Sequence, residues 1–207
     1  MEGAFGFLGG RCMMPPPELK QKILRTYMWR PLSASGCERG ELLTSGNNWI
    51  LQGTIIRFAE HGPAEVRYEV VADAQWVTRK ANICYRDDRG ERSLQVAHEQ
   101  QQWYTNEKLL SLPSDCADLD LAWSPSTNTL PIRRLNWNTQ AKSRAITAAW
   151  VRLPELVVEP LFQMYERLDR NVFRYTSRGG QFTAVIGVDD LAIVNRYEGV
   201  WERITTS

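Results

Sequence analysis

Apolar and polar residues alternate with period two along most of the chain from residue 25 onward. In the segment 65–71, for example, the apolar side chains of Val66, Tyr68 and Val70 alternate with charged ones. Successive side chains of an extended backbone point to opposite faces, so this pattern predicts a strand with one buried face. Because such segments follow one another almost to the end, the pattern predicts a β-rich domain.

Turn residues divide this pattern into separate strands. Asp87–Gly90 and Arg178–Gly180 have the composition of tight hairpins, and Gly53 suggests a bend or bulge inside its strand. The segment 161–168 fits helical and strand spacing equally well, so its residues alone leave it open. The other predicted strands are Trp49–Phe58, Gln75–Arg86, Ser93–His98, Val172–Ser177, Gln181–Val188, Ile193–Tyr197 and Val200–Ile204.

One short helix is predicted near residues 128–136. Asn128 or Thr129 can cap its first N–H groups, and Pro131 falls in the first turn, where a helix tolerates proline. Residues 1–24 combine glycine-rich and proline-rich stretches without a periodic apolar face. We therefore predict a disordered extension, or an incorrectly assigned start, over residues 1–24 and a single domain over residues 25–207.

Charge and hydropathy narrow the possible partners. The formal net charge is +1 and the basic residues are scattered, which argues against a nucleic-acid partner. No apolar run reaches the roughly 20 residues that span a bilayer, so we expect no transmembrane segment and a cytoplasmic location.

The cysteines and histidines show no metal-ligand spacing, so we expect neither a metal nor a cofactor. The cysteines stand at positions 12, 37, 84 and 116, and we expect free thiols. A nucleophilic Cys116 served by His61 or His98 is an open alternative to a buried structural thiol.

Two carboxylates and two guanidinium groups are the most conspicuous candidate site. Asp118 and Asp120 share one strand face, about 7 Å apart, and Arg133 and Arg134 follow on the predicted helix. These groups could hold the headgroup of a ligand, or they could neutralise one another inside the fold. A third interpretation is a glycoside hydrolase that uses the two acids, although neighbours on one strand do not flank a bond from opposite sides.

Other polar residues extend this candidate site. Arg79 shares a strand face with apolar residues and needs a carboxylate or a ligand there. Gln163, Tyr165 and Arg167 form a row on one strand face that could line a polar groove, a solvated surface or a dimer contact. The eight tryptophans could offer apolar platforms to sugar rings, although core packing accounts for most of them.

The segment Asp115–Leu135, DCADLDLAWSPSTNTLPIRRL, resembles the signature of the bacterial putative glycolipid-binding family. Further blocks stand in the family's order on both sides, so the resemblance runs from Tyr27 to Ile204. The supporting blocks are Trp49 with Gly53, Tyr68–Val70, Asp73 with Trp76–Arg79, Ala149–Pro154, Gln163–Arg167 and Tyr197–Arg203.

The resemblance implies a spiral β-roll, in which a long run of antiparallel strands wraps around one helix, and it implies a homodimer. It also implies that the segment 161–168 is a strand. The chain departs from the family pattern in residues 1–24. It departs again within 99–112, where the polar Gln100–Gln102 and Thr105–Lys108 replace a shorter glycine-containing turn.

We therefore expect a protein that binds a lipid or glycolipid-like amphiphile without catalysing a reaction. The expected groove lies between sheet and helix and is lined by Arg133, Arg134, Tyr165 and Arg167, with no catalytic residue. The ligand-binding set also includes Asp118, Asp120, Arg79 and Gln163. The alternatives are a glycoside or ester hydrolase that uses Asp118 or Asp120, and a structural dimer that serves a protein partner.

Overall fold

The computed structural model describes residues 21–60, 62–137 and 142–204. These residues form fifteen β-strands and one α-helix. The strands before the helix are β1 (Gln21–Pro31), β2 (Gly36–Ser45), β3 (Asn48–Ala59), β4 (Gly62–Ala72), β5 (Thr78–Asp87), β6 (Gly90–Glu99), β7 (Gln102–Thr105), β8 (Lys108–Leu110) and β9 (Asp118–Leu121). A 3₁₀ turn (Ser126–Asn128) leads into α1 (Thr129–Arg134). The strands after the helix are β10 (Ser143–Arg152), β11 (Val157–Asp169), β12 (Val172–Ser177), β13 (Phe182–Val188), β14 (Val194–Tyr197) and β15 (Trp201–Arg203).

All fifteen strands belong to one sheet with two arms. One arm runs in order from β8 back to β1, and the other runs from β15 back to β9. Strands β1 and β15 join the arms, and every pairing is antiparallel except the parallel pair of β9 and β10. Consecutive antiparallel strands can be joined by short turns, which is why residues typical of tight turns recur along the sequence.

The helix and the 3₁₀ turn before it are enclosed by strands of both arms. The hydroxyl groups of Tyr27 on β1 and Ser126 are 3.2 Å apart, and the Tyr165 hydroxyl on β11 donates to Asn128 Oδ1 over 2.9 Å. Leu130 is fully buried and Ile132 nearly so, so the helix is part of the core. The predicted all-β fold wrapped around a single helix is confirmed.

A row of two tyrosines and two glycines crosses four neighbouring strands of the first arm. Tyr27, Gly40, Gly53 and Tyr68 are partners in register on β1, β2, β3 and β4. A Cβ atom at Gly40 would overlap with the Tyr27 ring, and one at Gly53 would lie 2.7 Å from the Tyr68 hydroxyl. The bulge suggested for Gly53 is wrong, because the register continues through it; the missing side chain makes room for a tyrosine ring.

Two threonine hydroxyls hold the outer edge of β9. Leu119 N–H donates to Thr78 Oγ1 over 3.0 Å, and Leu121 N–H donates to Thr127 Oγ1 over 3.1 Å. These bonds replace the backbone partners that an edge strand lacks, and they fix β9 against β5 and the 3₁₀ turn.

Several segment boundaries differ from the sequence predictions. β1 already begins at Gln21, so residues 21–24 belong to the sheet and not to the extension; residues 1–20 lie outside the described part of the chain. Backbone pairing with 43–45 of β2 needs no buried face, which is why composition missed this start.

The segment 99–112, where the chain departs from the family pattern, forms two further hairpins. Their turns use non-glycine residues with positive φ: Gln100, Gln101, Asn106 and Glu107. Trp103 on β7 is buried, which anchors this end of the sheet. The segment 161–168 lies within β11, so the expectation from the resemblance is confirmed there.

Candidate ligand-binding cavity

A cavity of about 520 Å³ opens in the second arm between the sheet and the 3₁₀ turn. Its lining comes from β9, from residues 122–128, and from residues on or next to each of the strands β10 to β15. Six aromatic side chains contribute to the walls: Trp123, Trp150, Tyr175, Phe182, Tyr197 and Trp201. The polar lining includes Asp120, Ser124, Asn128 and Ser177, so apolar walls surround a small set of polar groups, as in sites for small ligands.

Asp120 is the one acidic side chain deep in this lining. Its carboxylate accepts hydrogen bonds from Gln163 Nε2 over 2.6 Å and from Thr127 Oγ1 over 3.2 Å. Burial raises the pKa of Asp120 to about 6, although both hydrogen bonds lower it. The carboxyl group is therefore mostly ionised at pH 7 and can accept hydrogen bonds from a ligand.

Polar side chains behind Asp120 hold it in place. The Tyr165 hydroxyl donates to Asn128 Oδ1 and lies 3.3 Å from Gln163 Oε1, while Asn128 Nδ2 donates to the Pro125 carbonyl over 3.2 Å. Asn128 stands at the N-cap of α1 but caps no N–H group there, so the predicted capping role is wrong. Its side chain takes part in this hydrogen-bond network instead.

A second buried acid, Glu38, lies behind Ser124 of the cavity wall. Glu38 Oε1 accepts hydrogen bonds from Tyr68 over 2.5 Å and from Ser124 over 2.8 Å. Glu38 Oε2 is buried and has no hydrogen-bond partner among the described residues. Burial raises the pKa of Glu38 to about 8, so this carboxyl group is mostly protonated at pH 7.

Two tyrosines give the cavity a hydroxyl-bearing wall. The rings of Tyr175 and Tyr197 are 6.1 Å apart in an edge-to-face arrangement, and both side chains are largely buried. Burial raises the pKa of Tyr197 well above its usual value, so the hydroxyl keeps its proton and can donate it in a hydrogen bond.

Trp123 enters the cavity wall from a strained backbone position. Its φ is 70°, a left-handed conformation that a bulky residue rarely adopts. The Arg57 guanidinium lies 4.3 Å from the centre of its ring, and the ring of Tyr85 packs at 6.1 Å. Strain of this kind persists where the surroundings fix it, often at ligand sites.

The structure separates the four charges that the sequence placed together. Arg134 binds Asp118 through two hydrogen bonds of 3.0 and 2.6 Å, and Asp118 is only 1% exposed. This pair confirms mutual neutralisation for two of the four residues. Asp120 has different partners, so the two acids form no catalytic pair and the geometry gives the hydrolase alternative no support.

The main cavity is lined neither by Arg133 nor by Arg167. Arg133 is exposed, 5.1 Å from the ring of Trp76, and Arg167 donates to the carbonyl groups of Asp169, Trp137 and Arg170. Arg133 and Arg167 line a smaller cavity of about 270 Å³, whereas Arg134 and Tyr165 line neither cavity. Neither of these two cavities is therefore lined by all four residues of the predicted groove.

Arg79 has a carboxylate partner close to it in sequence. It binds Asp73 in the turn before β5 over 2.9 and 2.5 Å. A register shift opposite Val71 and Ala72 turns Arg79 outward, so its predicted place on an apolar face is wrong. Trp76 lies in the turn, before the strand begins at Thr78.

Cys116 has the properties of a structural thiol. It is 1% exposed, and burial raises its pKa to about 12, which keeps it protonated. His98 stacks on Trp103 with ring centres 4.4 Å apart, and its Nδ1 atom lies 2.9 Å from the Thr78 carbonyl oxygen. Cys37 and Cys84 are also free thiols, while Cys12 and His61 lie outside the described residues.

Of the eight predicted ligand-binding residues, Asp120 alone lines the main cavity, with Gln163 and Tyr165 directly behind it. Sequence reasoning missed Glu38, Ser124 and Tyr197. Glu38 falls on the inward face of a strand that contains two glycines, two glutamates and one arginine, so its alternation is too weak to mark it as buried. No helix among the described residues is long and apolar enough to span a bilayer.

The chain thus combines an all-β fold around a single helix with a cavity that has aromatic walls and buried polar groups. The chain belongs to the putative glycolipid-binding family, whose model matches residues 26–203. The crystal structure of a DUF1089 family protein from Pseudomonas aeruginosa has the same fold, with a TM-score of 0.71 and 24% identity over 98% of this chain and 100% of that chain. None of the curated proteins matches the chain.

Proposed function

We propose that the protein binds a glycolipid-like amphiphile, without turning it over, and receives the sugar in the cavity of the second arm. The observation that carries this proposal is the combination of a buried carboxylate with aromatic walls in a space of about 520 Å³. A cavity of that volume is within the range of small-molecule sites. The family's description agrees with this class of ligand.

Asp120 is the group best suited to sugar hydroxyls. A carboxylate offers about four lone-pair sites, and Gln163 and Thr127 occupy two of them. Hydroxyl groups of a sugar can use the others, and charge-assisted hydrogen bonds of this kind are stronger than neutral ones. Tyr197 and Ser124 add hydroxyl groups to the same lining.

The aromatic and aliphatic walls match the rest of such a ligand. Trp150 and Trp123 are half-buried, so parts of their indole rings are accessible to a sugar ring. Leu161, Phe182 and Val200 lie in the same lining and are also only partly buried. These side chains would contact an alkyl chain as it leaves the cavity.

Calorimetric titration with two detergents tests this proposal. Octyl glucoside carries a sugar, whereas an octyl tetraethylene glycol ether has the same chain and no sugar. We expect binding of octyl glucoside alone, and an affinity about tenfold lower for Asp120→Asn, since one charge-assisted hydrogen bond contributes that much. Asp115→Asn, an exposed neighbour of the same type, should bind like the unmodified protein.

Equal binding of the two detergents would overturn the proposal, because the sugar would then contribute nothing. Unchanged affinity in Asp120→Asn would remove Asp120 from the site. A thermal scan checks that Asp120→Asn and Asp115→Asn still melt cooperatively, so that their affinities describe folded proteins.

We also propose that the protein forms a homodimer, an expectation that rests on the family resemblance. Phe162 and Met164 on the outer face of β11 are 54% and 39% exposed and offer an apolar contact. Light scattering should give a dimer mass for the unmodified protein and a monomer mass for Phe162→Glu. Phe58→Glu, which changes a 65% exposed phenylalanine on β3, should remain dimeric. A monomer mass for the unmodified protein would contradict this proposal.

A further inference from the structure

Charged side chains are unequally distributed over the cavity lining. Asp120 lies inside, whereas Arg152, Glu155 and Arg178 lie at the more exposed end. The deep end therefore suits hydroxyl groups and would repel an anion, since Asp120 carries a negative charge at pH 7. The outer end has two guanidinium groups and one carboxylate.

Arg178 lacks a carboxylate partner among the described residues. It begins the turn between β12 and β13, where Arg178, Gly179 and Gly180 all have positive φ, at 51°, 64° and 92°. This backbone places the guanidinium 5.1 Å from the centre of the Trp150 ring. A left-handed arginine is rare, so the turn holds this cation at the cavity in an uncommon conformation.

Arg152 approaches the same indole ring from β10. Its guanidinium lies 5.8 Å from the ring centre of Trp150. Its two ion pairs are long and exposed, at 3.6 Å to Glu155 and 3.7 Å to Glu159. Exposed pairs of this length contribute little, so Arg152 can exchange them for a ligand.

We propose that the ligand carries an anionic group, a carboxylate or a phosphate, that binds Arg178 and Arg152 beside Trp150 while its hydroxyl groups face Asp120. This inference rests on the proposed function and names the class of its ligand: an anionic glycolipid. Guanidinium groups bind both anions through two parallel hydrogen bonds, which is why the pair of arginines fits either one.

Three octyl sugars that differ only at C6 test the inference. Octyl glucoside is neutral, octyl glucuronide carries a carboxylate, and octyl glucoside 6-phosphate carries a phosphate. We expect at least one anionic sugar to bind about tenfold more tightly than octyl glucoside in low salt, and the stronger of the two identifies the anion. This preference should shrink as salt is added.

Arg178→Gln should remove most of the preference for the anionic sugar over octyl glucoside, because the anion loses its guanidinium partner. Arg174→Gln is the matched control, since Arg174 is exposed on β12, the strand that precedes Arg178, and binds Glu166. Its preference for the anionic sugar should be unchanged.

Equal affinity for all three sugars would overturn this inference and leave the proposed function standing. Binding of none of them would overturn both. A preference that survives in Arg178→Gln would show that the anion binds elsewhere, which also overturns the inference.

Discussion

At the scale of single residues, two buried acids differ in the way the fold neutralises them. Asp118 has a guanidinium partner in Arg134, whereas Glu38 has only the hydroxyl groups of Tyr68 and Ser124. A buried carboxyl group without a cation avoids its charge by keeping its proton. The two acids should therefore respond differently to mutation and to pH.

Removing the cation from Asp118 should destabilise the fold strongly. Arg134→Met leaves a carboxylate that is 1% exposed without a partner, and we expect a loss of about 3–5 kcal/mol in the free energy of unfolding. Asp118→Leu combined with Arg134→Met should recover part of it. Urea unfolding measures both.

Arg174→Met is the control, because its ion pair with Glu166 is exposed and should contribute about 1 kcal/mol or less. Equal losses in Arg134→Met and Arg174→Met would show that the buried pair has no special role.

Glu38 should make stability depend on pH. Its pKa is about 8 in the folded protein against an ordinary 4.5, so the folded state binds the extra proton between these values. The free energy of unfolding should therefore fall as pH rises from about 4.5 to 8, at up to about 1.4 kcal/mol per pH unit from this group.

Glu38→Gln stays neutral and should remove this slope. Unfolding in urea at pH 7 and pH 8 isolates the effect, because Asp120, with a pKa of about 6, has already lost its proton there. A slope that persists unchanged in Glu38→Gln would assign the pH dependence to another group.

At the scale of secondary-structure elements, the first arm depends on glycines that leave space for tyrosine rings. Gly53 lies on a regular strand between Gly40 and Tyr68. Gly53→Ala would place a methyl group 2.7 Å from the Tyr68 hydroxyl, which also binds Glu38. We expect a loss of about 1–3 kcal/mol in the free energy of unfolding, the usual cost of overpacking.

Gly187→Ala on β13 is the control for this substitution. The new methyl group there would lie 2.8 Å from Asn195 Oδ1, in an exposed side chain that can move aside, and 3.6 Å from Arg196 Cβ, an ordinary van der Waals contact. Chemical denaturation of both variants compares them. A loss at Gly187 as large as that at Gly53 would mean that the tyrosine contact is not the cause.

The elements themselves could be predicted where alternation is clean, as at Val66, Tyr68 and Val70 of β4. Prediction failed where pairing rather than burial defines a strand, as at residues 21–24, and where a bulge reverses alternation, as at Arg79. The site was predictable only through Asp120 and its neighbour Gln163. Glu38 and Tyr197 come near Asp120 only through contacts between strands that are far apart in sequence, and local alternation does not predict such contacts.

At the scale of the whole molecule, the roll brings the two arms of the sheet around one helix and leaves a cavity in the second arm. The first arm contributes Glu38 behind Ser124, and the second contributes Asp120, Tyr197 and the tryptophans. The cavity thus depends on both arms, although only the second arm lines it. A ligand held in this cavity should therefore add its own mass to that of the intact protein.

Native mass spectrometry of the protein purified from its own host tests the central claim most directly. We expect a discrete excess mass that disappears on denaturation and fragments as a sugar-bearing amphiphile. Ser177→Phe, which fills the cavity from a buried position in its wall, should lose that excess mass while retaining a cooperative melting transition. An excess mass that persists in Ser177→Phe, or a bare protein that also fails to take up octyl glucoside, would contradict the account.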